Sequence, residues 1–423
     1  MNVTFVSLNY APSVGGAQGC VRELAEGLVR RGHVVQVLTT DSLGTPGSAD
    51  PGQVPQAKET ISGVTVRRFG TRGLLGRAQI LARRIHRRLV LRRGGGALEA
   101  PIPAALWGPA SWTMGRAVRR AHRSSDVVVG CSAPFLTLVA TPFLRGRGNA
   151  ADVALPLLHL HAADPHPWVT RALRRSDGTV AATSYERDRL VKLGVDADVV
   201  AVLPPGVDPD RFPDHTAPQA RSALGLPERL TVGYVGRLAR YKGIDTFLAA
   251  SRELWALRPD LTVLVAGSPA GWHDLDAVVA RAAEVGGDRL VVRPRFDDGE
   301  KSLLLSACDV VVFPSREESF GMVTVEAWAA RRPVVAADIE AVRCVIRFGV
   351  DGDLVPVGDH VALAEAVESL LAQPERRDAY GEAGRARVEA DLSWARIVDG
   401  WEVFLAETIE RSRRRTGCAA GVR

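Results

Sequence analysis

Apolar residues along this chain follow two rhythms: short runs typical of strands buried on both faces, and longer stretches with a helical repeat. Residues 3–8 form one such run and suit a buried parallel strand. After the loop 9–16, Val21, Leu24, Ala25, Leu28 and Val29 recur at i, i+3, i+4, i+7 and i+8, the stripe of an amphipathic helix. Gly32-His33 ends it, and residues 34–38 are the next strand. This βαβ unit predicts a parallel sheet with a ligand at the C-terminal edge of its strands.

The same rhythm predicts strands at 126–129, 153–160 and 179–182. It breaks at Leu203-Pro204-Pro205-Gly206-Val207-Asp208, where two prolines remove donors and fix the backbone, so a domain boundary is expected there. Beyond it, strands are predicted at 231–235, 261–266, 290–292, 310–313 and 333–336, alternating with helices, and a last helix at 393–413 carries Trp394 and Trp401. A chain of 423 residues exceeds what one core usually serves. The expected architecture is α/β. One doubly wound, Rossmann-like domain covers 1–207 and a second covers 208–390. The C-terminal helix and tail, 391–423, pack back on the first, and a ligand cleft lies between the domains.

Composition narrows the class. With 46% apolar and 24% charged residues the chain is an ordinary folded protein. Its five cysteines include no C-x-x-C pair, which argues against a zinc site or a disulfide framework and predicts reduced, mostly buried thiols. The first residues carry no basic leader, and no run of 18 apolar residues occurs, so a cytoplasmic location is expected. The charge is uneven: residues 1–207 hold 26 basic and 14 acidic groups, whereas the remainder holds 28 and 34. Ten of the basic groups lie between Arg67 and Arg93 without an acid among them. Only four of the 54 basic residues are lysine (Lys58, Lys192, Lys242 and Lys301), so a lysine at a chemically meaningful place carries extra weight.

Two segments hold the candidate chemistry. Glu317 to Glu326, EESFGMVTVE, follows the strand at 310–313 and the turn Pro314-Ser315. A helix starting at Phe320-Gly321 would point its free N–H groups and positive end at a phosphate. Glu318 lies just before that helix and Glu326 inside it, so two carboxylates can reach hydroxyl groups of one ligand. The loop Gly236-Arg237-Leu238-Ala239-Arg240-Tyr241-Lys242-Gly243 follows the strand at 231–235. Arg237 and Lys242 there suit a diphosphate, the first through its planar fork and the second as a point charge.

Together these segments resemble family 4 of the retaining GT-B glycosyltransferases. The resemblance spans nearly the whole chain: Gly15-Gly16, the Arg-Gly-His-x-Val end of the first helix, Pro-Pro-Gly-Val-Asp, Gly-Arg-Leu-x-x-x-Lys-Gly, and the E-x7-E motif from Glu318 to Glu326. It implies a nucleotide diphosphate sugar as donor, UDP- or GDP-linked, with transfer of a hexosyl or N-acetylhexosaminyl group. Gly15, Gly16, Arg237, Lys242, Ser319, Phe320, Gly321, Glu326 and Arg295 would bind the donor. Glu318 would contact the transferred sugar and Glu326 the ribose. A first-domain histidine is also implied near the sugar; His161 fits best, in His-x-x-Asp-Pro, and His166 is second. Neither a cofactor nor a metal is implied. The first domain would take the acceptor, which is a carbohydrate, an aminocyclitol or a lipid-linked molecule, as in carbohydrate biosynthesis or secondary metabolism. Two departures stand out. Asp338-Ile339-Glu340 replaces the usual Gly pair, and Val291-Val292-Arg293-Pro294-Arg295 lacks the glycine common before the base-contacting loop.

Other readings fare worse. The D-x-D pairs Asp196/Asp198, Asp208/Asp210, Asp274/Asp276 and Asp351/Asp353 do not follow apolar runs and read as turn and surface aspartates, not metal ligands. Gly15-Gly16 is not the G-x-G-x-x-G turn of a nicotinamide enzyme, and no acid is expected to close the second strand. A basic peripheral membrane or nucleic-acid binding protein is the alternative outside catalysis. Leu81, Ile85 and Leu89, flanked by arginines, read as a basic amphipathic helix capable of peripheral membrane contact through 67–93. The stretch lacks an aromatic stacking platform, which argues against nucleic acid.

Overall fold

The computed structural model describes residues 1–13, 15–43, 53–54, 57–71, 111–158, 165–268, 275–294, 296 and 298–420. The chain divides into two compact units, Met1–Leu203 with Val398–Arg423, and Pro204–Ile397.

The first unit is built on an eight-stranded sheet in the order β3-β4-β2-β1-β5-β6-β7-β8. Its strands are β1 (Asn2–Val6), β2 (Val34–Thr40), β3 (Lys58–Ile61), β4 (Val64–Phe69), β5 (Val127–Cys131), β6 (Ala151–Leu155), β7 (Gly178–Ala181) and β8 (Val200–Val202). All neighbours pair in parallel except β3 and β4, an antiparallel hairpin at the edge. The helix Gly16–Arg30 buries Val21, Leu24, Ala25 and Leu28, the residues its apolar stripe selects. β6 stops at Leu155 rather than 160, because Pro156 has no N–H to continue the ladder. Asp41 follows β2 directly, against expectation. Its carboxylate accepts from the Thr71 N–H (3.1 Å) and hydroxyl (2.7 Å), so it ties this part of the chain to the segment just past the β4 end.

The second unit holds β9 (Thr231–Val235), β10 (Thr262–Ala266), β11 (Leu290–Arg293), β12 (Val310–Phe313), β13 (Val334–Ala337) and β14 (Gly352–Val355). They form one parallel sheet in the order β11-β10-β9-β12-β13-β14. Val232, Val263, Val265, Val310 and Val335 carry its core, joined by Phe247, Leu254 and Trp255 from the helix Ile244–Leu257. Strand order reverses between β9 and β12. In open parallel sheets that reversal opens a crevice at the C-terminal edge, where ligands bind. The two segments that carry the candidate chemistry are the loops leaving these two strands.

Candidate functional site

The loop after β9 is fixed at its root by backbone bonds from Gly236 N–H to Ala266 O (2.9 Å) and from Leu238 N–H to Ser268 O (3.0 Å). Tyr234, inside β9, donates its hydroxyl to Arg237 O at 2.7 Å. Burial, with the Glu318 carboxylate nearby, pushes this phenol well above its ordinary value and keeps it a donor. The loop ends at Gly243, with φ of 73°, where an added Cβ would overlap the Pro314 carbonyl oxygen. Glycine there lets the β9 loop lie directly on the β12 loop.

Arg316 laces the two loops together. Its N–H bonds Tyr241 O (2.8 Å), its guanidinium reaches Arg240 O (2.6 Å), and it takes both Asp245 oxygens at 2.9 Å and the Thr246 hydroxyl at 3.1 Å. Arg237 is exposed and forms no ion pair among the described residues. Lys242 turns inward instead, with its ammonium 5.3 Å from the Tyr241 ring centre and 6.0 Å from that of Phe313. There it donates to both oxygens of Glu318, one at 2.7 Å.

The following helix begins at Met322, not at Phe320-Gly321. Gly321 has φ of 96°, outside the helical region, and serves as its N-cap, while Ser319 is half-buried and Phe320 buried. Glu326 is the fifth residue of the helix and pairs through Oε1 with Lys301, on the helix Asp298–Ser306. Trp328 anchors this short helix: it is fully buried, donates its indole N–H to Asp351 O (2.8 Å) and packs where only a glycine, Gly384, leaves room. Both glutamate side chains are shielded, Glu318 at 10% exposed and Glu326 at 12%.

The arrangement therefore holds two carboxylates, each with an ammonium, beside a helix N-terminus and the exposed guanidinium of Arg237, all at the strand-order reversal. Chemically, it can bind a polyanion while presenting hydrogen-bond acceptors to hydroxyl groups. Lys301 and Arg316 had no role in the sequence reading. The scarcity of lysine pointed at Lys301. Arg316 and Asp245 lie 71 positions apart, and no local pattern links them.

Elsewhere the expected site residues are more dispersed. Gly15 is the N-cap of the helix that starts at Gly16, in the first unit at the C-terminal edge of β1. His166 is a helix N-cap whose Nδ1 accepts from Trp168 N–H at 3.3 Å, a structural bond. His161, Arg295 and most of the basic stretch, 72–93, lie outside the described residues. Within the described part of that stretch, Arg68 is buried and bonded to Glu59 and Ala11 O, so it is not free for a membrane. Asp351 and Asp353 are buried, not surface residues: arginines Arg347 and Arg387 hold the first, and Arg376 with Tyr380 the second. Asp196 and Asp208 cap turns as expected. Among the described cysteines, Cys20, Cys131 and Cys308 are buried and Cys344 is exposed, in line with mostly buried thiols. At the Asp338-Ile339-Glu340 departure, Arg343 forks onto the Asp338 carboxylate. Among the described residues, no group of three or more His, Cys, Asp or Glu is placed to hold a metal, and no helix is long and apolar enough to cross a membrane.

Comparison with known proteins agrees with this geometry. Residues 15–206 match the glycosyl transferase 4-like domain and residues 217–387 the glycosyl transferases group 1 domain. The D-inositol 3-phosphate glycosyltransferase 1 of Catenulispora acidiphila is 32% identical over 329 residues, covering 76% of each chain. A D-inositol 3-phosphate glycosyltransferase of Stackebrandtia nassauensis is 35% identical over 60% of each. Among solved structures, Anabaena Alr3699/HepE in complex with UDP superposes with a TM-score of 0.73 at 19% identity, covering 96% of this chain and 100% of that one. Sucrose-phosphate synthase of Thermosynechococcus elongatus gives 0.71 at 21%, covering 96% and 98%.

Proposed function

Since the chain belongs to the group 1 glycosyltransferases, of family 4 and the GT-B fold, we propose that it transfers a sugar from a nucleoside diphosphate to an acceptor hydroxyl, retaining anomeric configuration and without a metal ion. One observation carries this reading: the Lys242–Glu318 and Lys301–Glu326 pairs stand at the strand-order reversal beside the helix Met322–Ala329. A diphosphate draws Lys242 and Arg237 onto its oxygens, with the helix N-terminus adding positive potential, so the leaving group is neutralised by the protein's own charges. That exchange frees the Glu318 carboxylate to meet the transferred sugar, where positive charge develops. Glu326 accepts from the ribose hydroxyls.

The acceptor proposed is anionic, in the class of phosphorylated cyclitols. Two observations support this, the names of the relatives and the excess of basic groups in residues 1–207. A cytoplasmic location fits this chemistry. The test is a melting-temperature panel of UDP, GDP, ADP and dTDP, because a ligand that binds only the folded state raises the melting point. Transfer is then measured onto inositol 3-phosphate and onto unphosphorylated inositol, with and without EDTA. The expected result is that one nucleotide stabilises the protein, the phosphorylated acceptor is preferred, and EDTA leaves the rate unchanged. Loss of transfer on chelation, restored by manganese, would sink the metal-free mechanism, and equal use of both acceptors would sink the anionic one.

A further inference from the structure

The two lysine–glutamate pairs differ in how the ammonium meets the carboxylate. At Glu318, Lys242 donates to both oxygens. At Glu326, Lys301 donates to Oε1, while Oε2 is closed to solvent and has no hydrogen-bond partner among the described residues. A buried carboxylate oxygen without a donor is costly, and a hydroxyl that supplies one recovers that cost. The remaining requirement is that the carboxylate be held in one orientation. Its helix is fixed from below by Trp328, and its own side chain is fixed from the neighbouring helix by Lys301.

We infer that Lys301 is a positioning residue: it occupies one oxygen of Glu326 and leaves the other for a ribose hydroxyl, so that the preference for ribose over 2′-deoxyribose depends on it. This rests on the proposed role of Glu326 as the ribose contact. The chemistry favours lysine over the arginine that dominates this chain. A point charge can hold a single oxygen, whereas a planar guanidinium fork pairs with both and would cover the free one.

The test compares UDP with 2′-deoxy-UDP, and GDP with 2′-deoxy-GDP, by calorimetric titration of the full chain and of Lys301→Met, Lys301→Arg and Glu326→Gln. The ratio within each protein is read, which does not depend on the fraction of the variant that is folded. The wild type should bind the ribonucleotide of the preferred base about tenfold or more tightly, the scale of one hydrogen bond to a charged group. Lys301→Met should lose most of that ratio by weakening the ribonucleotide alone, and Lys301→Arg should lose it too despite keeping the charge. A wild-type ratio retained in both lysine variants, while Glu326→Gln abolishes it, overturns the positioning role and leaves Glu326 as proposed. Equal weakening of both nucleotides in Lys301→Met also overturns it, since that marks general attraction for phosphate. A wild type that does not distinguish the sugars removes the role of Glu326 itself.

Discussion

Each of the two sheets reverses strand order once near its centre, between β1 and β5 in the first unit and between β9 and β12 in the second, yet the loops that leave these strands are chemically opposite. In the first unit residues 7–13 and 132–135 carry no charged side chain. They hold their shape with short polar bonds, such as Ser7 hydroxyl to Asn9 O (2.9 Å) and Ser13 hydroxyl to Leu43 O (2.7 Å). In the second unit residues 236–243 and 314–321 carry three arginines, a lysine and two glutamates. The same topology thus supplies the same crevice twice, and side-chain chemistry decides what enters it. An ionic edge suits a diphosphate, whose charge is invariant among donors. A neutral edge has no charge with which to select an anionic ligand.

The most direct way to break this contrast is to neutralise the ionic edge at its centre. Glu318→Gln keeps the size of the side chain and removes its charge. Turnover should fall about a hundredfold with the melting temperature little changed, the scale seen when one preorganised electrostatic contact to a transition state is lost. Steady-state kinetics with the preferred donor read this out, and wild-type turnover would mean that the edge binds without taking part in the chemistry.

A smaller effect should follow from separating the two loops without touching a charge. Gly243→Ala places a methyl group against the Pro314 carbonyl and asks a residue with a side chain to adopt φ of 73°. Strain of this kind costs on the order of 1–3 kcal/mol, and the loops must part to relieve it. An approximately tenfold loss in kcat/KM is expected, together with a lower melting temperature. Alanine at Gly19, a helical position where an added Cβ meets nothing within 4 Å, is the control and should be nearly silent. If both behave alike, close approach of the loops is irrelevant.

Removing the Arg316 lacing comes next. Arg316→Ala deletes the bonds to Arg240, Asp245 and Thr246, but Arg316 and Asp245 are partly exposed and water replaces much of what is lost. About 1 kcal/mol, or roughly a fivefold fall in kcat/KM, is expected. Arg316→Lys should recover only part, since an ammonium cannot fork onto both Asp245 oxygens. Full recovery by lysine would show that charge alone is needed.

These predictions track what the sequence makes legible. Strands β9 to β13 of the second unit follow from short, largely apolar runs, and β9, β12 and the E-x7-E segment stand where the pattern puts them, because a buried parallel strand needs little beyond its own apolar residues. The edge strands β3, β8 and β14 are not legible: β3 and β8 are short and mostly exposed or half-exposed, and β14 opens on Gly352 and Asp353 and so shows no apolar run. At the site, glutamates and lysines in motifs are visible as residue types, but which lysine meets which glutamate is tertiary information. Trp328 under Gly384 is likewise invisible, since a tryptophan in a helix looks the same whether it anchors or faces water.

The weakest expected effect tests the first unit at a buried carboxylate beyond the ends of β6 and β7. Glu186, on the helix after β7, accepts the Ala182 N–H at 2.7 Å and the Leu158 N–H at 2.9 Å, so it ties two strand ends together. Those bonds favour the charged form, yet burial outweighs them and pushes the carboxyl up to about 7 from 4.5. The folded chain therefore holds this proton more tightly than the unfolded chain does. Its contribution to stability is complete below the unfolded value and is lost as pH rises through about 7. Between pH 6 and 7.5 the loss amounts to about 1 kcal/mol, or about 2–4 °C in melting temperature. Glu186→Gln, which cannot ionise, should lack this part of the pH dependence while turnover stays near that of the wild type. Parallel melting curves of the two proteins across that range would mean that Glu186 is already charged at its lower end.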